Sequence, residues 1–249
     1  MATVSDGAAA GRQRAAQRGI TLLLVRDMRK LRRLIIPSRL QATVPDWIVA
    51  VRALTAEYGN ASATAAADYY DAERVAAEVT GRFTVPLLDP PPDEQVDNSL
   101  RWATKDLWPR DPEDPATTPA QLLPIEQRLD AAEVKAEAVA QKLVTDQGRG
   151  TVVRAVRQDR QAVGWARTAA LGACAFCKLL ATRGMTYKAD TVKFRAHDGC
   201  HCGAILVFKG QRFELSAHAS EWERLYREYA APHSGDQLRR FRQALAEHG

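Results

Sequence analysis

No stretch of this 249-residue chain approaches the roughly 18 uninterrupted apolar residues of a membrane span, so no transmembrane helix is expected. No apolar leader opens it either. Residues 1–18 are small, polar and arginine-rich, which points to a soluble chain made in the cytosol with its thiols reduced. Repeats of 20–50 residues are absent, which excludes solenoids and propellers. There is no Gly-x-Ser-x-Gly elbow to seat a serine nucleophile. Cysteine, methionine and histidine are all scarce, at four, three and five residues. What remains is 46% hydrophobic, enough to bury one or two ordinary cores.

Charge is unevenly placed. Residues 1–40 hold nine basic side chains (Arg12, Arg14, Arg18, Arg26, Arg29, Lys30, Arg32, Arg33, Arg39) against Asp6 and Asp27. That stretch carries +7 of a net +5, leaving the rest slightly acidic. A concentrated positive field attracts polyanions, so a contact with an acidic protein or DNA is one reading. The other is the solvated face of an amphipathic helix, because Leu24, Met28, Leu31 and Ile35 recur at helical spacing.

The first half reads as successive helices. Pro37 and Pro45 bound the first. Asp46 is the expected N-cap of a second, which carries Trp47, Ile48, Val51, Leu54 and Tyr58 and stops at Gly59. An alanine-rich third spans 62–79, with Gly81 as its stop, and Trp47, Tyr58, Tyr69, Tyr70 and Trp102 are the expected aromatic core. Pro86–Pro92 and Pro109–Pro124 flank one short helix over 96–108. A long helix follows over 125–146, its apolar side marked by Leu129, Val134, Ala138 and Leu143, until Gly148-Arg149-Gly150 breaks it. Residues 203–208 form the best strand, and the tail returns to helix, with Ser220 and Glu223 at capping-box spacing and Pro232 dividing two helices.

The expected organisation is therefore 1–85, helical with a basic first helix; 86–124, a proline-rich hinge with one short helix; 125–168, a long helix and connector; 169–210, a Cys/His module; and 211–249, a helical tail. The fold class is mainly α, with a small C-terminal α+β module of the zinc-knuckle kind, a short strand element and terminal helices.

All four cysteines fall within 29 residues, as Cys174-Ala175-Phe176-Cys177 and then His197-Asp198-Gly199-Cys200-His201-Cys202. A pair at i, i+3 followed some twenty residues later by a second Cys/His group is the spacing of a tetrahedral zinc site. The candidate ligands are Cys174, Cys177, His197, Cys200 and Cys202. Cys174, Cys177 and Cys202 are favoured, joined by either His197 or Cys200, with His201 spare. Five candidates for four positions favour a closed, structural zinc over a catalytic one, and a segment with so little apolar mass would depend on metal to fold.

The run from Cys174 to Tyr187, followed by His197-x-x-Cys200-x-Cys202 and a hydrophobic strand, resembles the C-terminal signature of head-morphogenesis proteins of tailed bacteriophages. It is most similar to the MuF-like minor capsid proteins of actinobacterial phages, a group also labelled capsid maturation protease. Looser similarity reaches Tyr58-Gly59, Tyr69-Tyr70 and Arg101-Trp102-Ala103, so that it covers about residues 15–210. His201 departs from it, standing where such motifs more often carry Arg or Asp. The resemblance implies a minor head protein that enters the procapsid with the portal, contacts portal and major capsid or scaffold proteins, and resides in the virion head after assembly in the host cytoplasm.

The alternative the resemblance offers is a protease acting on capsid or scaffold proteins. The residues give it little support. His218, His233 and His248 fall in tail helices, Ser216 beside His218 is a pairing any chain offers, and zinc-bound thiolates are poor nucleophiles. A nuclease or DNA-binding zinc module is weaker still, because Lys193 and Arg195 alone precede the ligands, without an aromatic-basic stripe.

Overall fold

A computed structural model describes residues 2–5, 7–108, 110–185, 187–188, 200 and 202–249, the side chains of residues 8, 187 and 188 excepted. The elements run β1 (Ala2–Val4), α1 (Ala8–Leu31), α2 (Leu40–Ala76), α3 (Asp93–Thr104), α4 (Ile125–Gln158), β2 (Ala162–Thr168), α5 (Ala175–Ala181), β3 (Tyr187–Lys188), β4 (Gly203–Phe208), β5 (Gln211–Phe213), α6 (Ala217–Tyr229) and α7 (Gln237–His248). The protein is mainly α with a small sheet, as its sequence suggests. It divides into two compact units.

One unit comprises residues 19–62 and 89–147. Its core is built from Leu24 and Met28 of α1, Val44, Trp47 and Val51 of α2, Val96 and Leu100 of α3, and a seam along α4. That seam is Leu129, Ala132, Ala136, Ala140 and Val144, with Leu143 half-buried against it, rather than a line through Val134 and Ala138. Val134 is exposed. Small residues at spacings of three and four let helix backbones approach closely, so the alanines form the buried face. Arg29 reaches Glu137 at 2.8 Å and Arg52 reaches Asp97 at 2.9 Å. Tyr58 Oη donates to Asp27 at 2.5 Å.

The sequence predicts two helices where α2 is continuous. Pro45 lies in its second turn, where a missing amide costs one backbone bond near the helix start. Gly59 is not a stop. A Cβ there would lie 2.0 Å from Gln147 Oε1, so glycine serves close approach to α4.

The other unit comprises residues 1–18, 63–88 and 148–249. Its three-stranded antiparallel sheet has the order β3-β2-β4, with Trp165 opposite Leu206 and Ala166 opposite Ile205. Alternation sorts the two faces. Trp165, Leu206 and Phe208 pack with Tyr70, Val152 and Val156, while Ala166 and Ile205 pack with Ala10. β1 pairs in parallel with β5, which anchors the N-terminal residues. Arg74 and Asp159 form a buried ion pair, to which Tyr70 Oη adds a bond at 3.1 Å and the Gly81 carbonyl another at 3.0 Å.

Gly150 also continues its helix, because a Cβ would meet Leu88 Cδ2 at 2.3 Å. Residues 87 and 88 are fastened to α4 there, by Arg154 to the Leu87 carbonyl at 2.8 Å and by the Leu88 amide to Thr151 Oγ1 at 3.0 Å. The expected aromatic core is also corrected. Trp47 and Tyr58 belong to the first unit's core, Tyr69 and Tyr70 to the second's, and Trp102 is 54% exposed with Lys105 over its ring. Ser216, rather than Ser220, caps α6: its Oγ accepts from the Ala219 amide at 3.3 Å.

Candidate metal centre

Two short backbone turns bring the cysteines together. In the first, Cys174 is the N-cap of α5, and its sulfur accepts the Cys177 amide at 3.4 Å. In the second, the Cys200 sulfur accepts the Cys202 amide at 3.4 Å, directly before β4. Each turn folds its amide back onto a sulfur, which draws electron density from that sulfur and favours a thiolate.

The sulfurs of Cys177, Cys200 and Cys202 lie within 4.8 Å of one another, and all three residues are buried. Cys177 and Cys200 are 3.1 Å apart, and Cys200 and Cys202 are 2.9 Å apart. Those distances exceed the roughly 2.05 Å of a disulfide and fall below the ~3.8 Å between thiolates on a tetrahedral ion with ~2.3 Å bonds. None of the four cysteines is in a disulfide. An outward movement of the sulfurs by less than about 1 Å would admit an ion between them. The three are thus close enough to bind a metal. Among the described residues, no other group of three or more Cys, His, Asp or Glu side chains is gathered in this way.

Cys174 is exposed and outside the three-sulfur group, although it lines the same cleft of about 720 Å³ as the other three. His197 and His201, with Asp198 and Asp190, lie outside the described residues.

Two arginines that the sequence reading passed over hold the second turn. Arg149 of α4 donates Nη2 to the Cys200 carbonyl and Nε to the Cys202 carbonyl, the latter at 3.2 Å. Arg167 of β2 places Nη1 3.6 Å from the Cys202 sulfur. Arg149 stands between two glycines, which hid it inside an apparent helix break; the helical phase of 151–158, continuous with 125–147, was the available signal.

Electrostatics follow from this crowding. Cys200 is driven toward the thiolate because it accepts from Cys177 and Cys202, with Arg149 adding a favourable charge. Cys177 is driven the other way, since its proton is held by Cys200 and Cys202 and burial penalises its charge. A cation between the sulfurs would replace that shared proton, and three sulfur donors are the chemistry soft and borderline metals prefer.

The cysteine turns also share an apolar core with the tail helices, although residues 169–210 alone have little apolar mass. Ala175, Cys177, Ala181, Cys200 and Cys202 pack in one cluster with Ala219, Trp222 and Leu225 of α6 and Phe241 of α7. The tail helices supply the apolar mass that 169–210 lacks. They also account for the tail histidines and Ser216: His218 stacks on Trp222, His248 stacks on Tyr229, and Ser216 Oγ serves its cap.

A family model described as VG15 protein matches residues 4–229, from the end of β1 to the last residue of α6. No curated protein and no solved structure matches the chain.

Proposed function

The chain belongs to the VG15 protein family, a phage-related viral gene family, and from that premise we propose that it is a minor head protein of a tailed bacteriophage. It enters the procapsid with the portal, touches portal and capsid or scaffold proteins, and resides in the virion head. The family match over nearly the whole chain carries this reading, and the MuF-like signature across the cysteine turns supports it. No helix among the described residues is long and apolar enough to cross a membrane.

The cysteine centre holds one structural zinc ion in this reading. Cys177, Cys200 and Cys202 provide three ligands, and Cys174, the cap of the same helical turn, provides the fourth, with His197 as the competing donor. Zinc suits the site because thiolates bind it tightly without redox change, and a fully ligated ion ties α5 to the start of β4.

Mass spectrometry of purified virions tests the head assignment. The chain should be retained in a few copies per particle, with capsid proteins processed normally when Ser216 and His218 are both replaced by alanine. Absence from virions, or loss of capsid processing in that variant despite intact folding, would refute it; the second outcome would point to the capsid maturation protease.

A further inference from the structure

Residues 19–31 of helix α1 turn one side to the core of the unit that holds them and leave the other to solvent with an unusual mixture. Leu24 and Met28 are buried, whereas Leu22 and Leu23 are 61% and 44% exposed. At about 100° per residue, Leu22, Leu23, Arg26, Arg29 and Lys30 occupy an arc of roughly 120°, opposite the buried residues. Just beyond the helix, Leu34 and Ile36 are 38% and 41% exposed, beside exposed Arg33 and Arg39. Four exposed large aliphatic side chains thus stand among five exposed basic ones over 18 residues of a single unit.

The charge is only partly neutralised within the chain. Asp27 serves both Arg26 and Lys30, and Glu137 serves Arg29. Arg33 and Arg39 have no ion pair among the described residues. Four exposed aliphatic side chains within a basic stretch make a mixed apolar and cationic surface, and a DNA backbone offers nothing for them to pack against.

We propose that residues 22–39 form a docking face for an acidic amphipathic helix of a partner protein, its leucines packing on Leu22, Leu23, Leu34 and Ile36 and its flanking carboxylates meeting Arg26, Lys30, Arg33 and Arg39. This deepens the head-protein reading by naming the chemistry of the assembly partner. Virion composition tests that reading separately, so a chain found in heads that ignores such a helix would refute the docking face alone.

The probe is a synthetic helix of about 18 residues with leucine at i, i+3, i+4 and i+7 and glutamate along both flanks, titrated onto the full chain by fluorescence anisotropy. The controls are the same peptide with glutamine for glutamate, and a short DNA duplex. The glutamate peptide should bind at least about tenfold more tightly than the glutamine peptide, and weaken as salt rises. Leu22→Asn with Ile36→Asn, both exposed positions whose folding is checked by circular dichroism, should reduce binding about tenfold. No binding of the glutamate peptide would overturn the proposal. So would duplex binding of equal strength that ignores the two Asn substitutions, or a dimer of the chain itself that those substitutions abolish.

Discussion

Phe241 provides the test of whether the cysteine module has its own core. Its ring is fully buried in α7, stands edge-on to Tyr226 with centroids 5.9 Å apart, and shares a cluster with Cys177, Cys200 and Cys202. Burying a phenylalanine removes about 150–250 Å² from water, worth about 4–6 kcal/mol at ~25 cal/mol per Å². Alanine keeps part of that burial and is the better helix former by about 0.5 kcal/mol, while the cavity adds a penalty, so Phe241→Ala should destabilise by about 3–5 kcal/mol. Whole domains have only about 5–15 kcal/mol of stability, so the melting temperature should fall by roughly 10 °C. Circular dichroism melts with bound zinc and after chelation form the assay. If the tail helices supply core, the chelated protein keeps a cooperative transition for this unit, and Phe241→Ala lowers it in both forms. Loss of that transition on chelation, or an unmoved transition in the variant, would refute the reasoning.

Trp47→Ala should cost about 3–5 kcal/mol while leaving zinc content unchanged, as measured by denaturation and elemental analysis, because Trp47 is buried in the other unit's core. Arg74→Met should cost about 3–5 kcal/mol in a denaturant titration by stranding the buried Asp159 carboxylate. Gly150→Ala should destabilise by about 1–3 kcal/mol despite alanine's helix propensity, and Leu88→Ala should suppress that loss in a double-mutant cycle, since the new Cβ collides with Leu88 alone. Asp106 is held below the usual carboxylate range first by the Lys135 ammonium at 2.7 Å. Its contribution is therefore present above the unfolded pKa and lost as pH falls through the lowered folded pKa, so Asp106→Asn should be less stable at pH 7, with the difference starting to shrink only as pH falls below about 4 in melts.

Periodicity and ligand spacing made much of this molecule legible in advance. The i, i+3 cysteine pair and the later Cys-x-Cys announced a clustered thiol site, because metal ligation fixes spacing on a local scale. Leu24 and Met28 announced the buried side of α1 in the same way. What stayed hidden depended on partners distant in sequence. Gly59 and Gly150 look like stops until Gln147 and Leu88 are seen to occupy the space a side chain would need. Gly164 and Arg167 interrupt the apolar pattern of strand β2, and a buried arginine that reaches the distant Cys202 sulfur leaves no signature in the sequence. Phe241 and Trp222 looked like an amphipathic tail, with nothing to show that their apolar side closes over the cysteines.

Zinc content of the purified chain, measured by plasma mass spectrometry against the Cys200→Ser variant, decides whether the three sulfurs hold a metal ion. Cys200 lies 3.1 Å from the sulfur of Cys177 and 2.9 Å from that of Cys202, so any ion held by the three must touch it. Close to one zinc per parent chain is expected, and almost none in the variant, which stays folded through its tail-helix core. A parent chain purified without metal that cannot be loaded with zinc, or a Cys200→Ser chain that retains a full equivalent, would contradict it.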